Sequence, residues 1–161
     1  MFDYAALTTA ELLDLLGKEE DRVTLAHIEE VVRRDEEALP RLREIWLDEE
    51  YWYEGTGGNY WMVFHAGAVL SLHGKPQDIP LMMDKMLDAF TADQEWVREY
   101  LPALLEGFGE PIIETLIEFI IAERKGYWDN HDYSQVRAKV AAGLVCLSHT
   151  FPQHKPRDAM R

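Results

Sequence analysis

The sequence is short of cysteine and of basic residues. Cys146 is the one cysteine in 161 residues, so the chain can form no intrachain disulfide and no cysteine cluster for structural zinc. Against 30 Asp and Glu there are 16 Lys and Arg, which gives a formal net charge of −14. This charge repels the phosphates of nucleic acids and of anionic membranes. We therefore expect neither nucleic acid nor membrane as a partner.

Long apolar runs and strand patterns are also missing. The sequence nowhere has the run of about 20 apolar residues that a membrane-spanning helix needs. Its start, MFDYAALTTAELL, lacks the basic segment and unbroken apolar stretch of a secretory signal. Together with the lone cysteine, these absences predict a cytoplasmic protein. Alternating β-branched and aromatic residues do not continue long enough between turn residues to form strands, so the sequence predicts an all-α fold.

Apolar residues at helical spacing dominate what remains. Thr8, with Glu11 three positions on, forms a capping box before the first apolar helix, and Gly17 is expected to end that helix. Asp78 is expected to cap a later helix with Pro80 in its first turn. In all, the pattern predicts eight helices, near residues 8–17, 23–34, 36–52, 60–74, 78–90, 93–108, 110–124 and 133–148.

A weak internal repeat organises these helices. The stretch from Trp61 to Gly74 and Pro76 matches the stretch from Trp96 to Gly109 and Pro111, at an offset of 35 residues. A third copy is suggested at 136–153, VRAKVAAGLVCLSHTFPQ. Repeats of this length built from helix pairs are typical of α-solenoids. We predict one domain over 1–161, an α-α superhelix of about four helix pairs, and the final PQHKPRDAMR leaves open that the chain is the N-terminal part of a longer protein.

Two stretches resemble a known family. HAGAVLSLHGKPQDIPLMMDKM (65–86) and VRAKVAAGLVCL (136–147) resemble HEAT-like repeats, particularly the short bacterial repeats related to phycobilisome (PBS) lyases. The similarity covers about residues 24–153 and consists mostly of packing positions. It implies a HEAT-like solenoid. Since most members of this broad class are adaptors and a minority are enzymes, it implies little about function.

The enzymes of this class can be compared residue by residue. Deoxyhypusine hydroxylases bind iron with His-Glu dipeptides, whereas none of the six histidines here is followed by Glu. We therefore do not expect that activity. HEAT-like DNA glycosylases use a basic concave face, which the net charge of −14 disfavours. A bilin lyase stays open, although no residue of this chain matches that chemistry recognisably.

The stretch EGTGGNYW (54–61) raises the question of a phosphate-binding loop. Such a loop follows a strand and carries a Lys, but this one follows a predicted helix, has no Lys and comes after several acidic residues. We interpret it instead as a connection between helices, in which the glycines supply positive φ and Asn59 caps the next helix.

Aromatic residues crowd around this connection, interleaved with carboxylates. Such a mixture suits a Lys or Arg side chain, through cation–π attraction and ion pairing. The alternative is that the aromatic side chains pack in the core. We predict partner contacts at Tyr51, Trp52, Tyr53, Glu54 and Trp61.

A second acidic feature lies further along the chain. Glu110, Glu114 and Glu118 stand four residues apart and are expected to form one ridge on a helix. Such a ridge is usually a solvated face. If the ridge lines the concave surface of the superhelix, it would extend the acidic, aromatic surface around Trp52 and Trp61, so we keep it as a secondary contact surface.

The remaining patterns do not indicate catalysis. No Glu-x-x-His or His-Glu-x-x-His motif occurs, and no catalytic residue, metal ligand set or cofactor is predicted. The sequence favours a non-catalytic interaction module, an adaptor or scaffold that presents an acidic, aromatic groove to a basic partner segment. The alternative is a lyase-like or other small-molecule enzyme with a pocket between helices and His65 or His131 as proton carrier. The oligomeric state stays open.

Overall fold

The structure is a computed structural model that describes residues 2–53, 58–91, 95–121 and 130–151, with the backbone alone at residues 53, 58, 59, 91 and 130–133. Within these ranges the chain forms helices and no strand, which confirms the all-α class. The predicted connection at 54–57 and the cap formed by the side chain of Asn59 lie outside the described residues. No helix within the described ranges is long and apolar enough to span a membrane.

The helices follow the predicted order with one clear difference. Their bounds are α1 Thr9–Lys18, α2 Leu25–Arg33, α3 Leu39–Leu47, α4 Glu49–Tyr53, α5 Gly58–His73, α6 Asp78–Thr91, α7 Glu95–Gly107, α8 Ile113–Ile121 and α9 Asn130–Thr150. Short 3₁₀ turns at Tyr4–Ala6, Glu20–Arg22, Asp35–Glu37 and Glu110–Ile112 precede α1, α2, α3 and α8.

The helix predicted over 36–52 is interrupted at Asp48. That residue has φ −76° and ψ 117°, which ends α3, and its Oδ1 accepts a hydrogen bond of 3.0 Å from the backbone N–H of Glu50. Asp favours this position because its carboxylate satisfies N–H groups that have no partner within the new helix. The apolar spacing continues across Asp48, so periodicity alone predicts one helix where the structure has two.

The capping box at α1 is confirmed. The backbone N–H of Glu11 donates to Thr8 Oγ1 at 3.3 Å, and the backbone N–H of Thr8 donates to Glu11 Oε2 at 2.8 Å. These bonds lower the pKa of Glu11. Thr24 caps α2 in a similar way, since its Oγ1 accepts from the N–H of His27 at 3.3 Å. The helix α1 runs one residue past Gly17, to Lys18.

The chain divides into two compact units, and the first covers Met1–His73. Helices α1, α2, α3 and α4 of this unit all pack on α5. Trp46, on α3, is fully buried and lies so close to Gly67 of α5 that a Cβ at Gly67 would overlap its ring. The core around them consists of buried side chains such as Leu12, Leu16, Leu42, Ile45, Val69 and Leu70.

The second unit covers Gly74–Arg161. Here α9 packs against α7 and α8, and α6 packs mainly against α7. Gly143 lets α9 approach α7 closely, because a Cβ there would lie 3.3 Å from the Cβ of Leu105. The core includes Met82, Met86, Leu101, Leu105, Val140 and Leu144. Superhelical stacking and a single domain over 1–161 stay predictions.

Candidate functional site

The predicted aromatic contact residues of the first unit divide into packed and half-buried side chains. Trp52 is 5% exposed, its Nε1–H donates to the carbonyl oxygen of Trp46 at 2.7 Å, and the two rings meet edge to face at 4.8 Å. This contact attaches α4 to the end of α3. Tyr51 is half-buried, and its hydroxyl lies 3.5 Å from Nη2 of Arg41. The side chain of Tyr53 and all of Glu54 lie outside the described residues.

Trp61 belongs to an aromatic cluster at the start of α5, formed with Tyr60, Phe64 and His65. Its ring stacks on His65 at 5.6 Å and meets Tyr60 edge to face at 5.2 Å. Tyr60 and Phe64 stack at 6.5 Å. Tyr60, Trp61 and Phe64 are half-buried, so each residue keeps some exposure to solvent.

His65 holds this cluster to the turn before α2. The ring is 8% exposed, and its Nε2 lies 2.8 Å from the carbonyl oxygen of Glu20, to which it donates. Burial lowers the pKa of His65, the bond to Glu20 opposes this shift, and the nearby His27 adds to it. A neutral His65 with Nε2 protonated therefore fits the site, and that nitrogen is engaged with the main chain. The side chain of His131, the other predicted proton carrier, is outside the described residues.

Two further histidines of the first unit have buried side chains, which the sequence did not indicate. His27 has Nε2 at 2.8 Å from the carbonyl of Leu12 and Nδ1 at 3.3 Å from the carboxylate of Glu19. His73 has Nδ1 at 3.3 Å from Oδ1 of Asp35. Glu20 and Asp35, which bond His65 and His73, have positive φ values of 54° and 37°, which non-glycine residues rarely adopt. The histidines thus hold the turns between helices in place.

In the second unit, the three glutamates of the predicted acidic ridge are exposed, but only two of them lie on α8. Glu110 lies in the 3₁₀ turn before α8, and Glu114 and Glu118 lie one turn apart on α8 itself. Within the part of the chain that the structure describes, Glu114 and Glu118 have no ion pair. Their negative charge is therefore not neutralised locally.

Beside Glu118 is a pocket that the sequence did not reveal, which we call the α6/α8 groove. It has a volume of about 310 Å³. Three nearly buried side chains, Met83, Leu87 and Phe119, none more than 5% exposed, form its floor. The rim is formed by three exposed side chains, Pro80 and Asp84 on α6 and Glu118 on α8. Thr115, which is half-buried, completes the wall.

Helical periodicity places these side chains on facing surfaces. Pro80, Met83, Asp84 and Leu87 are three or four residues apart on α6, and so share one face of that helix. On α8 the same spacing joins Thr115, Glu118 and Phe119. Asp84 and Glu118 have no hydrogen bond or ion pair among the described residues, so two uncompensated carboxylates border an apolar floor.

Two other pockets carry charges that are offset by their neighbours. A pocket of about 180 Å³ in the first unit includes Tyr51, but the guanidinium of Arg41 in its wall donates to Glu44 at 3.0 Å. A pocket of about 600 Å³ in the second unit is lined by two acidic and two basic residues, Glu95, Glu99, Arg98 and Lys139. The first of these pockets has an apolar floor that includes Leu13 and Ile45, but its wall carries both an acid and a base, and the second pocket has only charged residues in its described lining.

Metal binding and similarity to known proteins add no further assignment. Across residues 2–53, 58–91, 95–121 and 130–151, no group of three or more His, Cys, Asp and Glu side chains could hold a metal ion. Comparisons with protein-family models, with curated proteins and with solved structures find no match. The resemblance to HEAT-like and PBS-lyase repeats stays a prediction, and function has to be argued from the geometry of the α6/α8 groove.

Proposed function

We propose that this protein is a non-catalytic interaction module that binds a basic segment of a partner protein through the α6/α8 groove. One observation carries the proposal. Two carboxylates that form no ion pair within the described part of the chain, Asp84 and Glu118, stand beside an apolar floor made by Met83, Leu87 and Phe119.

The two parts of the groove would contribute differently to binding. Apolar surface that a partner covers contributes about 25 cal/mol per Å², less the entropy lost on association. The carboxylates add specificity for a cationic neighbour and speed the encounter. The net charge of −14 favours a basic partner in the same way over longer distances.

The residues predicted from sequence take graded roles in this proposal. Glu118 contacts the partner directly, while Glu114 and Glu110 attract it along the same face of α8 and its preceding turn. Tyr51 and Trp61 offer half-buried rings in the first unit as further contacts. Trp52 supports Tyr51 by fixing α4 to Trp46. A cytoplasmic location and a role as adaptor or scaffold belong to the same proposal.

The lyase-like alternative has no comparable observation in its favour. It needs a proton carrier at a pocket, but no histidine that the structure describes lines any of the three pockets above. His65 contacts a main-chain carbonyl and an aromatic ring instead.

Calorimetric titration with designed peptides tests the proposal. Two short amphipathic peptides share the same leucines, and one has Arg and Lys at the positions where the other has Glu. We expect the basic peptide to bind and the acidic one not to bind. The variant Asp84→Asn/Glu118→Gln should weaken binding about three- to tenfold, since each exposed ion pair contributes about 0.2–1 kcal/mol.

The matched control is Glu29→Gln/Glu36→Gln, which removes the same number of negative charges from exposed positions of the first unit. It should change the affinity by less than about twofold, because neither residue lines the groove, and exposed charges that do not contact a partner are largely screened. Equal weakening in both double variants would show that net charge, and not the groove, determines binding. Equal binding of both peptides would overturn the proposal.

A further inference from the structure

We infer that the α6/α8 groove receives a single arginine side chain of the partner. This inference depends on the proposed function, because it names the residue that the groove would recognise. The groove combines an apolar floor with carboxylates at its rim. These two surfaces match the two chemically different parts of one long cationic side chain.

The size of the groove favours one side chain over a free organic ligand. Pockets for small organic ligands commonly measure about 300–1,000 Å³. The groove, at about 310 Å³, is at the lower limit of that range. Its floor is formed by three side chains, which limits the apolar surface that an occupant can cover. One extended side chain meets these limits.

Arginine has an apolar stem and a charged head, and the groove offers an apolar floor for the stem and carboxylates for the head. The methylene stem would cover the floor formed by Met83, Leu87 and Phe119, while the guanidinium would stay at the rim in water. There it would meet the carboxylate of Asp84 from α6 and that of Glu118 from α8. Among the described residues, no Lys or Arg lines the groove, so none of them competes there for these carboxylates.

Two carboxylates on different helices favour arginine over lysine. A guanidinium presents five N–H donors in a planar fork, so it can bond two carboxylates on different sides at once. It is also less strongly hydrated than an ammonium group and loses less when it leaves bulk water. Thr115, half-buried in the same wall, adds a hydroxyl oxygen that can accept a further N–H bond.

Methyl NMR of the full chain tests the inference with four probes of known chemistry. The probes are Nα-acetyl-N-methylamide derivatives of arginine, lysine, citrulline and norleucine. Citrulline keeps the shape of arginine without its charge, and norleucine keeps only the stem. The methyl signals of Met83 and Leu87 report on the groove, and the methyl signal of Met62, in the first unit, serves as the control.

The arginine probe is expected to shift the Met83 and Leu87 signals at millimolar concentration, with Met62 unchanged. Lysine should bind about three times more weakly, and citrulline and norleucine at least about ten times more weakly. In Asp84→Asn/Glu118→Gln, the arginine probe should bind no better than citrulline does in the wild type.

The outcomes separate this inference from the proposed function. If citrulline or norleucine shifts the methyl signals of Met83 and Leu87 as strongly as arginine does, the groove does not recognise the guanidinium and the inference is wrong. The basic peptide of the calorimetric titration could then still bind in the groove through an apolar side chain. If neither the arginine probe nor the basic peptide acts at the groove, the inference and the proposed function are both wrong.

Discussion

The two units treat their carboxylates differently. In the first unit, Glu30 bonds Arg33 and Arg34 at 2.5–2.7 Å, and Glu44 bonds Arg41 at 3.0 Å. In the second unit, the described part of the chain gives Asp84 and Glu118 no such partner. Both units are acidic. Glu30 and Glu44 are neutralised by neighbouring arginines, whereas Asp84 and Glu118 keep their negative charge beside an apolar surface. Net charge alone therefore does not locate a binding site.

The units also hold their helices in different ways. The first unit uses buried polar bonds, such as those from Trp52 to Trp46 and from His65 to Glu20. The second unit joins α7 and α9 through close apolar contact at Gly143, and arginines are donors of polar bonds between its helices, as from Arg98 to the carbonyl of Phe90. Stability of the first unit should therefore respond to the loss of single polar groups and to pH. Substitutions in both units can test this contrast.

The largest effect is expected for Trp52→Ala. This change removes a buried ring and leaves the carbonyl of Trp46 without its donor, so the free energy of unfolding should fall by about 3–5 kcal/mol. Trp61→Ala, at a half-buried position, should cost clearly less. Urea denaturation of both variants measures the difference. If both variants lost the same free energy of unfolding, Trp52 would not be more important to the core than Trp61, which would contradict the prediction.

A matched pair of glycine substitutions compares the two helix contacts. Gly67→Ala forces a methyl group into the ring of Trp46, and should destabilise the protein by about 2 kcal/mol after the gain in helix propensity. Gly143→Ala meets Leu105 at 3.3 Å, where a small shift suffices, and should stay within about 1 kcal/mol of the wild type. Thermal and urea unfolding measure both. A larger loss at Gly143 than at Gly67 would reverse this comparison.

His65 should make stability depend on pH near neutrality. Its pKa is lowered in the folded protein from the ordinary 6.5, so the unfolded chain binds the proton first as the pH falls. The wild type should therefore lose stability as the pH decreases below about 6.5, down to the folded pKa. His65→Gln, which can still donate to Glu20, should lose less over this interval.

Urea midpoints measured for His65→Gln and the wild type across this interval test the effect. Above about pH 8 the two curves should run parallel, because neutral histidine no longer titrates there. Parallel curves over the whole pH range would show that His65 does not contribute to the pH dependence.

Glu30 should make the stability of the protein depend on pH in a second, more acidic range. Its hydrogen bonds to Arg33 and then to Arg34 lower its pKa from 4.5 to about 2. The stability that these bonds contribute is present above about pH 4.5 and is lost as the pH falls toward 2. Glu30→Gln should remove this part of the acid sensitivity, and urea midpoints at acidic pH should then fall less steeply than in the wild type. An unchanged slope would rule out Glu30 as its source.

Features with a local signal were predictable from the sequence, and features that join distant segments were not. The capping box of Thr8 and Glu11 depends on residues three apart, and it was predicted and confirmed. The break at Asp48 also has a local cause, but the capping signal of Asp48 is hidden within continuous apolar spacing. The bond from His65 to Glu20 depends on tertiary packing, which periodicity does not specify.

The candidate site was predicted only in part for the same reason. Glu118 was identified because its spacing from Glu114 marks one helix face. Asp84 looked like an ordinary exposed residue of α6, and its significance comes from sharing a pocket with Glu118. The crowding of aromatic residues near Trp52 is a sequence signal for either packing or binding, and only the burial of Trp52 shows that it packs in the core.

The most direct test of the central claim is a paramagnetic NMR measurement with labelled methionine methyl groups. The basic amphipathic peptide carries a nitroxide, and its position is read from signal broadening. We predict that the Met83 signal, at the floor of the α6/α8 groove, broadens more strongly than the Met62 signal, which reports on the surroundings of Tyr51 in the first unit. Strong broadening of Met62 with a sharp Met83 signal would contradict the claim and place the peptide on the first unit instead.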